Sequence, residues 1–184
     1  MTAMIPSQAL SEHSRRRYRP IPVEVELCLY RAVSEQCGGR ILPFGVRQMI
    51  KDYAWVSFDN QTLREAVRLW CSDRESALQR YRDINDWDVS GVTDMSELFM
   101  NTSFNDRIDR WDVRQVTTME RMFDEARAFN QALAEWDVGA VTTMYCMFSN
   151  ALLFNQPLDK WDVHRVKTMC RLLCNAPSFN QPIT

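Results

Sequence analysis

Residues 111–133 read WDVRQVTTMERMFDEARAFNQAL, and nearly the same string returns before and after them. Trp-Asp-Val recurs at Trp87, Trp111, Trp136 and Trp161, spaced 24, 25 and 25 residues apart. Phe-Asn recurs at Phe104, Phe129, Phe154 and Phe179, 25 apart each time. Between them lie Val92, Val116, Val141 and Val166, then Met95, Met119, Met144 and Met169. Leu98, Met122, Met147 and Leu172 come next, followed by Phe99, Phe123, Phe148 and, in the fourth copy, Leu173. Columns that hold register through four copies mark a repeat protein. One such unit is too small to bury its own Trp, Met and Phe. The copies must therefore stack, each burying these side chains against its neighbours.

Within a copy the apolar spacing changes. Ile108, Trp111, Val113 and Val116 have the spacing of a short strand and the turn beyond it, as in leucine-rich repeats. Met119, Met122, Phe123 and Ala126 fall at i, i+3, i+4 and i+7, which predicts a short helix. Thr117 with Glu120, and Asp94 with Glu97, offer capping boxes at its start. The predicted unit is a strand, a turn, a two-turn helix and a return loop carrying Phe-Asn. The fold class that follows is an α/β repeat.

Two polar columns accompany the apolar ones: Asp88, Asp112, Asp137 and Asp162, and Asn105, Asn130, Asn155 and Asn180. Stacked about 4.8 Å apart, adjacent carboxylates repel by roughly 1 kcal/mol even in water. The Asp column is therefore expected to be solvated or to accept backbone N–H groups of the following turn. The Asn column is expected to form an internal ladder. The Trp and Met columns are expected to be core rather than a cofactor box.

These residues resemble the BspA-like leucine-rich-repeat family, also seen as mycoplasma-type surface-lipoprotein repeats. Its pattern, close to WDVSxVTxMxxMFxxAxxFNQxL, is similar to WDVSGVTDMSELFMNTSFNDRI at 87–108 and WDVGAVTTMYCMFSNALLFNQPL at 136–158. The segment DNQTLREAVRLW at 59–70 looks like the helical lead-in that often precedes such repeats. The resemblance implies a right-handed leucine-rich-repeat-like solenoid used for binding or assembly, with no catalytic residues to carry over. It also implies secreted or surface-anchored relatives, and others in protists and large DNA viruses.

The rest of the 184 residues divides in two. Residues 1–20 carry Arg15, Arg16, Arg17 and Arg19 and are expected to form a basic flexible arm. Residues 21–85 are expected to be a helical N-terminal cap, and 86–184 the four-copy repeat region. Helices are predicted to open at Pro22 and Pro43. Thr62 with Glu65 is predicted to cap a helix bearing Leu63, Ala66, Val67 and Trp70, and another helix to hold Ala77, Leu78 and Tyr81. This cap is expected to cover the first copy. Leu42-Pro43 followed by Met49-Ile50 resembles the start of an F-box.

Composition weighs against catalysis. Gly 5 and His 2 leave little material for phosphate loops or histidine-based metal sites, and a net charge of −2 makes nucleic acid a poor partner. Six Cys without CxxC spacing indicate reduced thiols rather than a disulfide scaffold. Cys146, Cys170 and Cys174 lack a histidine to complete a metal site. No catalytic group, metal or cofactor is expected. No secretory signal or membrane span is legible, so an intracellular or virion-associated setting is expected. The sequence stops before another Trp-Asp-Val, so Met169, Leu172, Leu173 and Phe179 are expected to have neighbours on one side only. With Arg15–Arg19 they are the candidate partner-binding residues. The expected function is a protein-interaction or assembly module, such as a cementing subunit of a viral capsid. Its partners would be a multi-subunit assembly or a second copy at the C-terminal end. The alternative is an F-box-like substrate adaptor of a ubiquitin ligase.

Overall fold

The structure is a computed structural model, and it describes residues 57–182. These belong to one compact unit, Trp55–Thr184. The arginine-rich arm, the helices expected at Pro22 and Pro43, and the F-box-like stretch lie outside the described residues.

Two helices open the described chain: α1 at Asn60–Ser72 and α2 at Arg74–Tyr81, followed by a 3-10 turn at Ile84–Asp86. The start of α1 lies three residues earlier than the Thr62–Glu65 box would place it. Asp59 is the N-cap: its carboxylate accepts from the Gln61 and Thr62 N–H groups at 3.0 and 2.8 Å, and the Asp59 N–H donates to the Thr62 hydroxyl at 2.9 Å. The i, i+3, i+4, i+7 face of α1, Leu63, Ala66, Val67 and Trp70, is buried. Asp73 closes α1 through its N–H and opens α2 by accepting from the Ser76 N–H. In α2 only Ala77 is buried, while Leu78 stands exposed.

The expected α/β repeat with a right-handed leucine-rich-repeat-like solenoid is overturned: among the described residues no copy contains a strand or an α-helix. Each copy is a succession of tight turns. Where a strand was expected, the Trp111 N–H donates to the Ile108 carbonyl at 3.1 Å and Val116 to Val113 at 2.9 Å. Where a helix was expected, Met122 donates to Met119, Asp124 to Arg121 and Ala126 to Phe123, at 3.3, 3.1 and 3.0 Å. Arg121 and Glu125 have φ of 53° and 59°, whereas an α-helix requires about −60°. The expected capping boxes dissolve accordingly. Asp94 accepts from the Ser96 N–H, and the Thr117 hydroxyl donates to the Thr93 carbonyl of the preceding copy. Parallel pairing between copies is confined to isolated bridges, Asp94–Thr118, Thr118–Thr143 and Thr143–Thr168.

The physical cause of the difference is that i→i−3 turns in series bury Val113, Val116, Met119 and Met122 three residues apart, with Phe123 and Ala126 beside them. Their apolar pattern therefore imitates both the strand-plus-turn and the helical spacing. What the turns position is a continuous core. Trp111 and Trp136 stack with centroids 6.5 Å apart and planes 4° from parallel. Phe99, Phe123 and Phe148 stack at 5.4 and 5.5 Å, and Phe104, Phe129, Phe154 and Phe179 at 5.9 to 6.0 Å. Those separations fall within the offset-stacked range for aromatic pairs. Fully burying each ring contributes about 1.5–3 kcal/mol.

Candidate interaction surface

The Asn column joins consecutive copies, whereas the Asp column stays within each copy. Asn105 Oδ1 accepts from the Asn130 N–H at 2.8 Å, Asn130 from Asn155 at 2.9 Å, and Asn155 from Asn180 at 2.9 Å. Gln131, Gln156 and Gln181 donate their side-chain amides to the same three oxygens at 3.1, 3.0 and 3.0 Å. Each Asp of the other column turns on its own copy. Asp88 accepts from the Ser90 N–H, Asp112 from Arg114, Asp137 from Gly139 and Asp162 from His164. These are Asx-type turns. Asp162 also meets His164 Nδ1 at 2.6 Å, which holds the carboxyl below its ordinary range.

A recess of about 410 Å³ lies where α1 and the 3-10 turn meet the first copies. Each of its three arginines is held in an ion pair. Arg74 pairs with Asp106 at 2.8 Å, Arg110 with Asp86 at 2.6 Å, and Arg107 with Asp109 at 3.0 Å. Trp70 Nε1 adds a hydrogen bond to Asp106 at 2.8 Å. Among the described residues no three His, Cys, Asp or Glu side chains converge as a metal site, and no helix is long and apolar enough to cross a membrane. Cys146, Cys170 and Cys174 are all free thiols.

The fourth copy differs from the others. Met95, Met119 and Met144 are fully buried, whereas Met169 is 38% exposed. Leu172, Leu173 and Phe179 are half-buried against the core. Trp161 stays buried at 8%. Val163, at the end of a column whose other members Val89, Val113 and Val138 are buried, is exposed too. The third copy adds Leu152 and Leu153. Neither Val163 nor the Leu pair stood out in the sequence. The only signal for the pair was Leu-Leu where other copies carry Thr-Ser, Arg-Ala and Pro-Ser.

This architecture defines a repeat protein whose copies are built from turns and joined by polar ladders around an aromatic core. Residues 71–184 match the family described as "Mycoplasma protein of unknown function, DUF285", and the chain belongs to that family. Comparison with curated proteins and with solved structures found no match.

Proposed function

We propose that the chain is a non-enzymatic protein-interaction module, a small structural subunit of a larger assembly. One observation carries this reading. Of the five exposed large apolar side chains among the described residues, Leu78, Leu152, Leu153, Val163 and Met169, four lie in the last two copies. Apolar side chains gathered in one region of a surface favour a protein partner. The mutual pairing of the charges in the recess supports binding over catalysis, and the resemblance to BspA-like surface-protein repeats points the same way.

The test is affinity capture by the full chain from its native source, beside a Met169→Asp/Leu173→Asp variant that retains the native circular-dichroism spectrum. The reading predicts stoichiometric retention of partners by the parent and at least tenfold less by the variant. Equal retention by both, or recovery of ubiquitin-ligase components independent of these residues, overturns it.

A further inference from the structure

The repeat supplies its own comparison. What recurs in every copy the stack requires, and what departs from its column is free for another task. Asp83 of the 3-10 turn and Arg107 of the first copy share a column that continues as Ala132, Pro157 and Pro182. Asp106, next to Arg107, stands where the later copies carry Gln131, Gln156 and Gln181. Those glutamines donate to the Asn ladder, whereas Asp106 accepts from Trp70 Nε1 at 2.8 Å and from Arg74 at 2.9 Å. All three departures line the recess of about 410 Å³ where α1 and the 3-10 turn meet the first copies. That volume falls within the range of small-molecule sites, about 300–1,000 Å³.

The lining sets the polarity of what fits. It carries three arginines, Arg74, Arg107 and Arg110, against three carboxylates, Asp83, Asp86 and Asp106. An anion would have to displace a carboxylate from a guanidinium, and a cation the reverse. Trp70 and Ile84 are 4% and 1% exposed, so the recess has no apolar floor for a hydrocarbon. It does keep hydrogen-bonding capacity. Arg107 uses Nε and Nη2 on Asp109, and Arg110 uses Nη1 on Asp86 Oδ1. Arg107 Nη1 and Arg110 Nε and Nη2 donate to nothing among the described residues. Asp83 Oδ1 accepts the Asn85 N–H at 2.9 Å, while Asp83 Oδ2 and Asp86 Oδ2 accept nothing among them.

Unused donors and unused acceptors in a site of balanced charge suit a ligand whose groups both give and accept. A hydroxyl does both, and a ring bearing several places them side by side without adding charge. We infer that this recess binds a neutral sugar residue, whose hydroxyls donate to Asp83 and Asp86 and accept from Arg107 and Arg110. The site is separate from the exposed apolar side chains of the last two copies, so it goes beyond the protein-interaction reading. Four solvent-facing hydrogen bonds of modest net strength correspond to a Kd on the order of 1 mM.

The test is NMR titration of the full chain, isotope-labelled on nitrogen, with the methyl glycosides of glucose, galactose, mannose and N-acetylglucosamine. Acetate and butylammonium at matched ionic strength are the charged comparisons. At least one glycoside should shift the Trp70 indole and Asn85 amide resonances saturably, and neither charged probe should do so at the same concentration. Arg107→Ala installs the residue that the second copy already carries at Ala132, and Asp83→Asn keeps an oxygen for the Asn85 N–H. Each should weaken the binding by about fivefold or more, with the Trp136 indole resonance unmoved as the sign of an intact fold. No saturable shift with any glycoside, tighter binding of acetate or butylammonium, or full binding by both variants overturns the inference.

Discussion

Replacing Trp87 by Phe should cost much less stability than the same change at Trp136. Both rings are buried, at 3% exposure each. Trp136 Nε1 donates to the Ile108 carbonyl at 3.1 Å, as Trp111 does to Ile84 at 2.7 Å and Trp161 to Leu133 at 3.0 Å. Each bond reaches back to the preceding copy. Trp87 has no copy before it, and its Nε1 is buried without a partner among the described residues. Its ring packs instead against Phe58, Trp70 and Tyr81 at 4.8 to 5.7 Å. Shortening either Trp to Phe deletes the same ring portion, so the packing losses are similar. The polar terms have opposite signs. Trp136→Phe loses a hydrogen bond worth about 1 kcal/mol, whereas Trp87→Phe removes an orphaned donor whose burial costs about 1–3 kcal/mol. The two variants should differ by about 2–4 kcal/mol in urea unfolding of the full chain, with Trp136→Phe the weaker protein. Equal losses, or a larger one for Trp87→Phe, would refute the reasoning.

Three further outcomes follow from the same geometry. Asn130→Ala strands the Asn155 N–H that its oxygen accepts, while the Gln156 amide keeps its bond to the Asn130 backbone carbonyl, and should cost about 1–2 kcal/mol in chemical denaturation. Asn130→Asp, which keeps an acceptor there, should cost less than half as much at pH 7, and equal losses would dismiss the ladder as a stabilising element. Glu97 has φ of 58° and is exposed, so Glu97→Gly should be neutral or raise stability by up to about 1 kcal/mol. In a helix the same change would lower stability by about 1 kcal/mol, so the sign of the shift in midpoint decides between turn and helix. Burial raises the carboxyls of Asp94 and Asp109, but hydrogen bonds from Ser96 with the charge of Arg64, and from Arg107 with its charge, outweigh it and hold both below 3.8. A depressed folded value means that the unfolded chain takes up protons first. Their stabilisation should thus be complete above about pH 4 and drain away as pH falls through the folded values. A urea midpoint that climbs on acidification would contradict this.

The columns were legible because repetition exposes them, and the buried rings of Trp111, Phe123 and Phe129 stand on them. The conformation between the columns was not. A period near three is shared by a helix and by turns closed at i→i−3, and the two differ in the sign of φ at one residue in four. Glycine usually betrays such positions, yet here they are Glu97, Asn101, Arg121, Glu125, Cys146, Asn150, Arg171 and Asn175. Asn at three of the four second positions was the available signal, since it tolerates the left-handed region better than most residues. The first helix was legible as a face but not as a start, because Asp59 and Thr62 compete with Thr62 and Glu65 for the same box pattern. The candidate surface was legible only in part. The exposure of Met169 lay in its column position, whereas the N–H groups of Met169, Arg171, Leu173 and Asn175, whose equivalents all donate to the next copy, depend on backbone direction, which no residue type encodes.

Amide hydrogen exchange across all four copies of the full chain tests the central claim most directly. The twelve donors at Met95, Glu97, Phe99 and Asn101 and their equivalents in the second and third copies should exchange slowly, while Met169, Arg171, Leu173 and Asn175 exchange at least tenfold faster. Equal protection of all sixteen, or protection that ignores the alternation along each copy, would contradict a stack built from turns whose N–H groups donate toward the next copy.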